Sequence, residues 1–206
     1  MPAEPAPPRS QNVVWQHTET TREGRWAALG HAGATVWLTG LPASGKSTLA
    51  AAVEARLLAS GRSAYLLDGD NLRHGLNGDL GFSPEDRAEN VRRTAEVAAL
   101  LADAGVVALV ALVSPYAADR DAARAVHVHR GLPFLEVHVA TTLEECEARD
   151  PKGLYARARA GELRGLTGVD APYEPPEHPD LVVESSVPLE DAVERLLAAI
   201  TAATSA

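Results

Sequence analysis

Gly40-Leu41-Pro42-Ala43-Ser44-Gly45-Lys46-Ser47 satisfies the pattern G-x-x-x-x-G-K-[ST] in full. Its surroundings decide how it is read. Thr35-Val36-Trp37-Leu38 has the composition of a buried strand, and over residues 48–58 the apolar Leu49, Val53 and Leu57 recur at helical spacing. A glycine-rich turn between strand and helix directs backbone N–H groups at phosphate oxygens, and the helix N-terminus adds a dipole of the right sign. In such a turn Lys46 reaches the β- and γ-phosphates, and the Ser47 hydroxyl ligates magnesium. The stretch predicts a nucleoside-triphosphate site that takes ATP and Mg2+.

Strands and helices alternate beyond the loop. Residues 63–67 read as a second strand. Ser83-Pro84-Glu85-Asp86 opens a long helix with serine as N-cap, proline at the first helical position and acids in the first turn. That helix runs to about Asp103 and stops at Gly105. Residues 106–113 form a continuous apolar run, as a strand covered on both faces requires. A helix over 117–130, a strand over 134–139 and short helices over 143–149 and 154–160 follow. A last strand at 181–183 and an amphipathic helix over 188–203 close the chain. This alternation, with right-handed crossovers, predicts an α/β fold: a parallel sheet flanked by helices, of the P-loop nucleoside-triphosphate kinase type. Residues 34–206 make that one domain. Residues 12–33 are a polar N-terminal arm whose Trp15 and Trp26 must dock on a surface, of its own domain or of a partner subunit. Residues 1–11, rich in Pro and Ala, read as a disordered tail.

Composition narrows the function further. The formal net charge of −9 argues against nonspecific nucleic-acid binding but not against an anionic small substrate. Charges beyond roughly 8–10 Å are screened, so local arginines decide that matter. Cys146 is the only cysteine, which excludes an internal disulfide and suits a reducing cytoplasm. Flanking carboxylates would raise its pKa, so it reads as a packing residue. No apolar run spans a bilayer, and the Pro-rich start is not a signal peptide. His127 and His129, two apart on a helix, point apart and do not suggest a metal site.

Ligands of such sheets gather at the carboxyl ends of the strands. After the second strand comes Asp68-Gly69-Asp70-Asn71-Leu72-Arg73. On an extended backbone Asp68 and Asp70 lie on the same side, and Gly69 allows a ligand close. A carboxylate placed there can accept a proton during phosphoryl transfer and help organise the metal with Ser47, though a solvated turn has the same pattern. Arg87 and Asn90 are i, i+3 neighbours near a helix start, with Arg73, Arg92 and Arg93 nearby. They form either a second anion site or a surface paired to Glu85, Glu89 and Glu96, and charge pattern alone favours the surface. Ser114-Pro115-Tyr116 ends the third strand, where Ser114 either meets substrate or starts a turn. Arg149, Lys152, Arg157, Arg159 and Arg164 among glycines read as a lid that closes over ATP, or as an ordinary solvated helix face.

At this point the chain resembles the adenylylsulfate kinase (APS kinase) family. The resemblance rests on Gly40 to Thr48, on Leu67-Asp68-Gly69-Asp70-Asn71-Leu72-Arg73-His74-Gly75-Leu76-Asn77 and on Leu80-Gly81-Phe82-Ser83-Pro84-Glu85-Asp86-Arg87. It continues through Glu89-Asn90-Val91-Arg92-Arg93, Ser114-Pro115-Tyr116, Cys146 to Tyr155 and Thr167-Gly168-Val169-Asp170. The resemblance implies transfer of the ATP γ-phosphoryl to the 3′-hydroxyl of adenylyl sulfate. It implies that Gly40 to Thr48 and Arg149 hold ATP, with Arg149 near its adenine. Asp70 would be the base or metal-organising carboxylate, acting with Lys46. Asn71, Arg73, Arg87 and Asn90 would hold the phosphosulfate and ribose, and Phe82 would stack on the substrate adenine. Val113 and Ser114 would line that pocket. In parts of the family the serine is described as a phosphorylated intermediate, although in-line transfer needs no such relay. Lys152 and Leu154 would meet substrate as the lid closes. A homodimer in which the arm covers the partner, and a separate ATP sulfurylase, are the partners implied.

One position departs from the family pattern. Gly165-Leu166-Thr167-Gly168 stands where the family has Gly-Phe-Thr-Gly, whose phenylalanine completes an aromatic sandwich around the adenine. An aromatic pair is worth about 0.5–1.5 kcal/mol, so Leu166 predicts substrate binding weaker by about two- to twelvefold and a lower KM on Leu166→Phe. Two other functions fit fewer residues. A kinase for gluconate, shikimate or a nucleotide would not need the Asp70-Asn71, Phe82 and Asn90 set. An idle nucleotide-binding module would typically have lost Lys46, Ser47, Asp70 or the lid cations.

Overall fold

The strand before the phosphate loop, β1 (Ala34–Thr39), occupies the centre of a wholly parallel sheet. On one side it pairs with β3 (Val107–Ala111), and beyond that lies the edge strand β2 (Ala64–Asp68). On the other side it pairs with β4 (Phe134–Ala140), and beyond that lies β5 (Leu181–Glu184). The computed structural model describes residues 12–14, 16 and 18–205, so residues 1–11 and Trp15 lie outside the described residues.

Side-chain alternation along β1 explains the layers. Val36 and Leu38 point to the face covered by α2 (Lys46–Ala59) and α8 (Leu189–Thr204), joining Leu49, Val53, Leu57, Val193 and Leu196. Trp37 points to the opposite face, where α4 (Pro84–Asp103) and α5 (Ala117–His129) bring Val91, Ala95, Ala98 and Ala123. All six residues of β1 are buried, as a central strand covered on both faces requires. Ser83 caps α4, its Oγ accepting from the Asp86 N–H at 3.1 Å. The third strand stops at Ala111, two residues short of the apolar run, and beyond it Ser114 adopts a left-handed φ of 38°.

Two helices were not foreseen. Within the arm, α1 (Arg22–Leu29) starts at a Thr21 N-cap and ends at Gly30 in the left-handed conformation. It docks on the end of α4 in its own chain: Trp26 Nε1 donates to Ala102 O at 3.2 Å, and Arg22 and Arg25 both pair with Asp103. Trp26 thus has an anchor within its own domain. After β2 the chain turns at once into the short α3 (Gly69–Leu72), capped by Asp68. Two further helices, α6 (Leu143–Arg149) and α7 (Leu154–Arg159), lie over the phosphate loop.

Candidate active site

The phosphate loop closes around its own lysine. Lys46 Nζ donates to Gly40 O at 3.0 Å, Leu41 O at 2.8 Å and Ser44 Oγ at 3.3 Å. Burial pushes the ammonium down to about 8, the carboxylates of Asp68 and Asp70 opposing that only in part. Gly40 is a steric necessity, since a Cβ there would lie 2.6 Å from Val139 O. Two tethers hold the loop from the lid side: Thr141 Oγ1 donates to Ser44 O at 2.8 Å, and the buried Tyr155 hydroxyl donates to Pro42 O at 2.9 Å.

The Asp-Gly-Asp segment differs from its extended reading. Because α3 begins at Gly69, Asp68 and Asp70 separate. Asp68 Oδ2 accepts the Ser47 hydroxyl at 2.6 Å, while its Oδ1 accepts the Asp70 N–H at 2.9 Å. Asp70 instead pairs with Lys152. It is thus Asp68, and not the expected Asp70, that stands beside the Ser47 hydroxyl in the ligand-free chain. A Cβ at Gly69 would lie 2.7 Å from Leu112 Cδ2, the movable end of a side chain. Ser47 and Asp68 supply two hard oxygens, the protein share expected for Mg2+, which keeps waters and phosphate oxygens as its remaining ligands.

Across Asp70, a second wall rises from α3, the 73–83 loop and the start of α4. Phe82 is 66 % exposed, and guanidinium carbons lie over its ring, that of Arg73 at 4.2 Å and that of Arg87 at 5.7 Å. Arg73 holds the loop through Leu80 O and Gly81 O at 3.0 and 2.8 Å. Among the described residues Arg87 donates only to neutral oxygens, Phe82 O at 3.0 Å, Thr167 Oγ1 at 3.0 Å and Gly165 O at 2.8 Å. Burial pulls its pKa below the ordinary arginine range. Arg92 and Arg93 behave otherwise: both pair with Glu89, and Arg93 also with Asp79. The surface reading holds for these two, and the anion-site geometry is confined to Arg73 and Arg87. Asn71 lies on α3, and Asn90 is buried on α4.

Ser114 is 3 % exposed, and its Oγ accepts the Trp37 indole N–H at 3.1 Å. Its carbonyl accepts from Arg120 Nη1 at 2.8 Å, and the Val113 carbonyl accepts from Thr39 Oγ1 at 2.7 Å. The serine hydroxyl thus faces the core, which does not suit it to carry a phosphoryl group. In the lid, Leu166 is 8 % exposed and packs with Cys146 and Tyr155, against Leu41, Leu143 and Leu154. The side chains of Leu166 and Leu154 help build the lid's own apolar core. A phenylalanine at 166 would have to fit among these packed neighbours. Overpacking costs about 1–3 kcal/mol, so Leu166→Phe should lower the melting temperature by about 2–12 °C and leave the substrate KM within about twofold, read by calorimetry and steady-state kinetics.

On the other side of the loop a recess of about 220 Å³ is lined by Gly45, Thr48, Thr141, Arg149, Ser185 and Val187, among others. Arg149 reaches Ser44 O at 3.4 Å from its rim.

Residues 32–184 match the family model for adenylylsulphate kinase. The chain belongs to the adenylylsulphate kinase family. It is 51% identical over 177 residues to the adenylyl-sulfate kinase of Clostridium acetobutylicum, covering 86% of this chain and 87% of the relative. It is 55% identical over 175 residues to that of Shewanella amazonensis, covering 85% and 87%. Its fold matches the Mycobacterium tuberculosis APS kinase CysC, solved in complex with AMPPNP and APS, with a TM-score of 0.80 and 54% identity over 81% of this chain and 96% of that one.

Several residues that line or brace this adenylylsulphate kinase site carry no signal in the sequence. Asp68 was left without a role of its own. Thr141, Ser185 and Val187 went unnoticed because the β5–α8 turn has no glycine motif and no charge pattern. Asn77 and Arg120 sat in plain view as ordinary polar residues, and only burial sets them apart.

Proposed function

We propose that this chain transfers the γ-phosphoryl group of Mg-ATP to the 3′-hydroxyl of adenylyl sulfate, giving 3′-phosphoadenylyl sulfate and ADP. The reading is supported by the setting of Asp70, whose charge acts both on Lys46 of the phosphate loop and on Arg73 of the second wall. On one side is the phosphate loop with its Ser47–Asp68 pair. On the other are Phe82, Arg73 and the carboxylate-free Arg87. The experiment is ADP release from ATP with adenylyl sulfate as acceptor, run beside gluconate, shikimate and nucleotide acceptors. Folded protein that binds ATP yet releases no ADP with adenylyl sulfate would overturn the proposal.

The residues divide the work by chemistry. Backbone N–H groups from Gly40 to Thr48 surround the triphosphate, Lys46 neutralises its β,γ-oxygens, and the recess at Arg149 takes the adenine. Ser47 and Asp68 would hold Mg2+, which supplies charge neutralisation on the β- and γ-phosphates when bound. Asn71, Arg73, Arg87 and Asn90 orient the phosphosulfate and ribose of the acceptor, with Phe82 on its adenine and Val113, Ser114 and the Gly165–Leu166 turn as walls. Asp70 takes the proton of the 3′-hydroxyl. Lys152, paired with Asp70 in the ligand-free chain, moves to the transferring phosphoryl group as substrates enter. Trp37 and Arg120 hold Ser114 as a fixed wall.

A pH dependence follows from the buried lysine. Its ligand-free pKa of about 8 lies below the unfolded value of 10.5, and a bound triphosphate raises it again. Below pH 8 the cation is already present, so affinity is flat. Above pH 8 binding takes up a proton, and ATP affinity falls by up to about tenfold per pH unit. Titration calorimetry at pH 9 in two buffers of different ionisation enthalpy should show that proton, and equal heats in both would refute the account. The unfolded chain binds the extra proton between pH 8 and 10.5, so this group's penalty on stability shrinks as pH rises through that window.

The remaining partner readings complete the proposal: a homodimer, and a separate ATP sulfurylase that makes adenylyl sulfate, both in the cytoplasm. Among the described residues no helix is long and apolar enough to cross a membrane.

A further inference from the structure

Asn77 is 0 % exposed, although it sits in the connection between α3 and α4. Loop asparagines ordinarily stay in water. Its backbone is tied on both sides, the N–H donating to Leu72 O at 2.9 Å and the carbonyl accepting from the Leu80 N–H at 3.1 Å. Its side-chain Nδ2 donates to Asn90 Oδ1 at 2.9 Å, while its own Oδ1 has no partner among the described residues. The direction of that bond follows from relative cost. Turning both amides over would leave an NH2 group, with two protons, in the place where nothing accepts. The bonded orientation leaves the Oδ1 and the second Nδ2 proton of Asn77 unpaired, the turned one leaves two protons, and buried carbonyls go unpaired more readily than N–H groups.

The consequence falls on Asn90, one helical turn from Arg87. Its oxygen is occupied by Asn77, so only Nδ2 remains for a ligand. That nitrogen bonds to nothing among the described residues, and it is not among the side-chain atoms sealed from solvent without a partner. We propose that Asn77 is a positioning residue that locks the Asn90 amide with its nitrogen towards the acceptor pocket, so that this point of the pocket donates. It then donates to a phosphosulfate oxygen, a ring nitrogen or a hydroxyl lone pair of the acceptor, and rejects a group that offers only a proton. The inference rests on Asn90 touching adenylyl sulfate, and the test separates the two claims.

Three variants are measured with ATP and adenylyl sulfate, alongside thermal unfolding. Asn77→Leu is nearly isosteric and frees the Asn90 amide to rotate, so KM for adenylyl sulfate should rise about three- to tenfold while KM for ATP stays within about twofold. Once ionised, the carboxylate of Asn77→Asp can only accept, which turns the Asn90 oxygen into the pocket, so at a pH above that carboxyl's pKa the rise should exceed about tenfold. In an Asn90→Ala background, Asn77→Leu should add nothing to KM. Asn77 variants that melt earlier but keep KM for adenylyl sulfate within twofold would reduce Asn77 to a structural residue. An equal rise from Asn77→Leu with and without Asn90 would do the same. If Asn90→Ala itself leaves that KM unchanged, the contact of Asn90 with substrate is wrong, and the inference falls with it. Should the buried carboxylate of Asn77→Asp prevent folding, the leucine variant and the double-mutant comparison decide the matter.

Discussion

Asp70→Asn should lower kcat by about 10²–10⁴ while ADP and adenylyl sulfate still bind within a few-fold of their original affinities. That range is what a positioned general base contributes to proton transfer. The substitution keeps size and shape, and an amide oxygen still accepts from the Lys152 ammonium that now meets the carboxylate. What disappears is the ability to take the proton of the 3′-hydroxyl. The comparison with Asp68→Asn is informative, because Asp68 meets the Ser47 hydroxyl and Asp70 does not. Asp68→Asn should raise the Mg2+ concentration needed for half-maximal rate, whereas Asp70→Asn should leave it alone. Undiminished turnover in Asp70→Asn, with both ligands bound, would remove Asp70 from the chemistry.

Arg87→Met should raise KM for adenylyl sulfate by about 10–100-fold and leave KM for ATP within about twofold. A hydrogen bond to a charged group is worth about 1.5–3 kcal/mol, and Arg87 is the guanidinium of α4 that pairs with no carboxylate in the described chain. Burial without an opposing charge leaves it in need of an anion. Arg87→Lys should recover only part of the loss, because a point charge cannot match two oxygens as a planar fork does. By contrast Arg92→Met, on the same helix but already paired with Glu89, should leave both KM values unchanged. Equal effects at the two arginines would mean that α4 contributes general positive charge and no specific site.

The difference between those two arginines marks where sequence reading stops. Arg73, Arg87, Arg92 and Arg93 look alike in a charge pattern, and a surface ion-pair network was the simpler reading of all four. It holds for Arg92 and Arg93, whose acids lie three or four residues away, or in Asp79 across the loop. It fails for Arg87, whose partners Gly165 and Thr167 lie some eighty residues on. The two helices that were missed are of different kinds. Thr21 and Gly30 bracketed α1 with recognisable start and stop signals, so it was legible. The four-residue α3 was not, because a helix that short has no periodicity to detect.

The chain by itself determined the phosphate loop, the strand–helix alternation, the Ser83 cap and the family. Each is written in short-range order: a glycine spacing, a period of apolar residues, a capping hydroxyl three places from an acid. The fold decided the rest. It set Asp68 rather than Asp70 against Ser47, buried Leu166 in the lid, joined Asn77 to Asn90, and opened the recess between the phosphate loop and the turn after β5. Those contacts join groups distant in sequence, or turn on one helical residue more or less, and their geometry exists only once the sheet has brought its strand ends together.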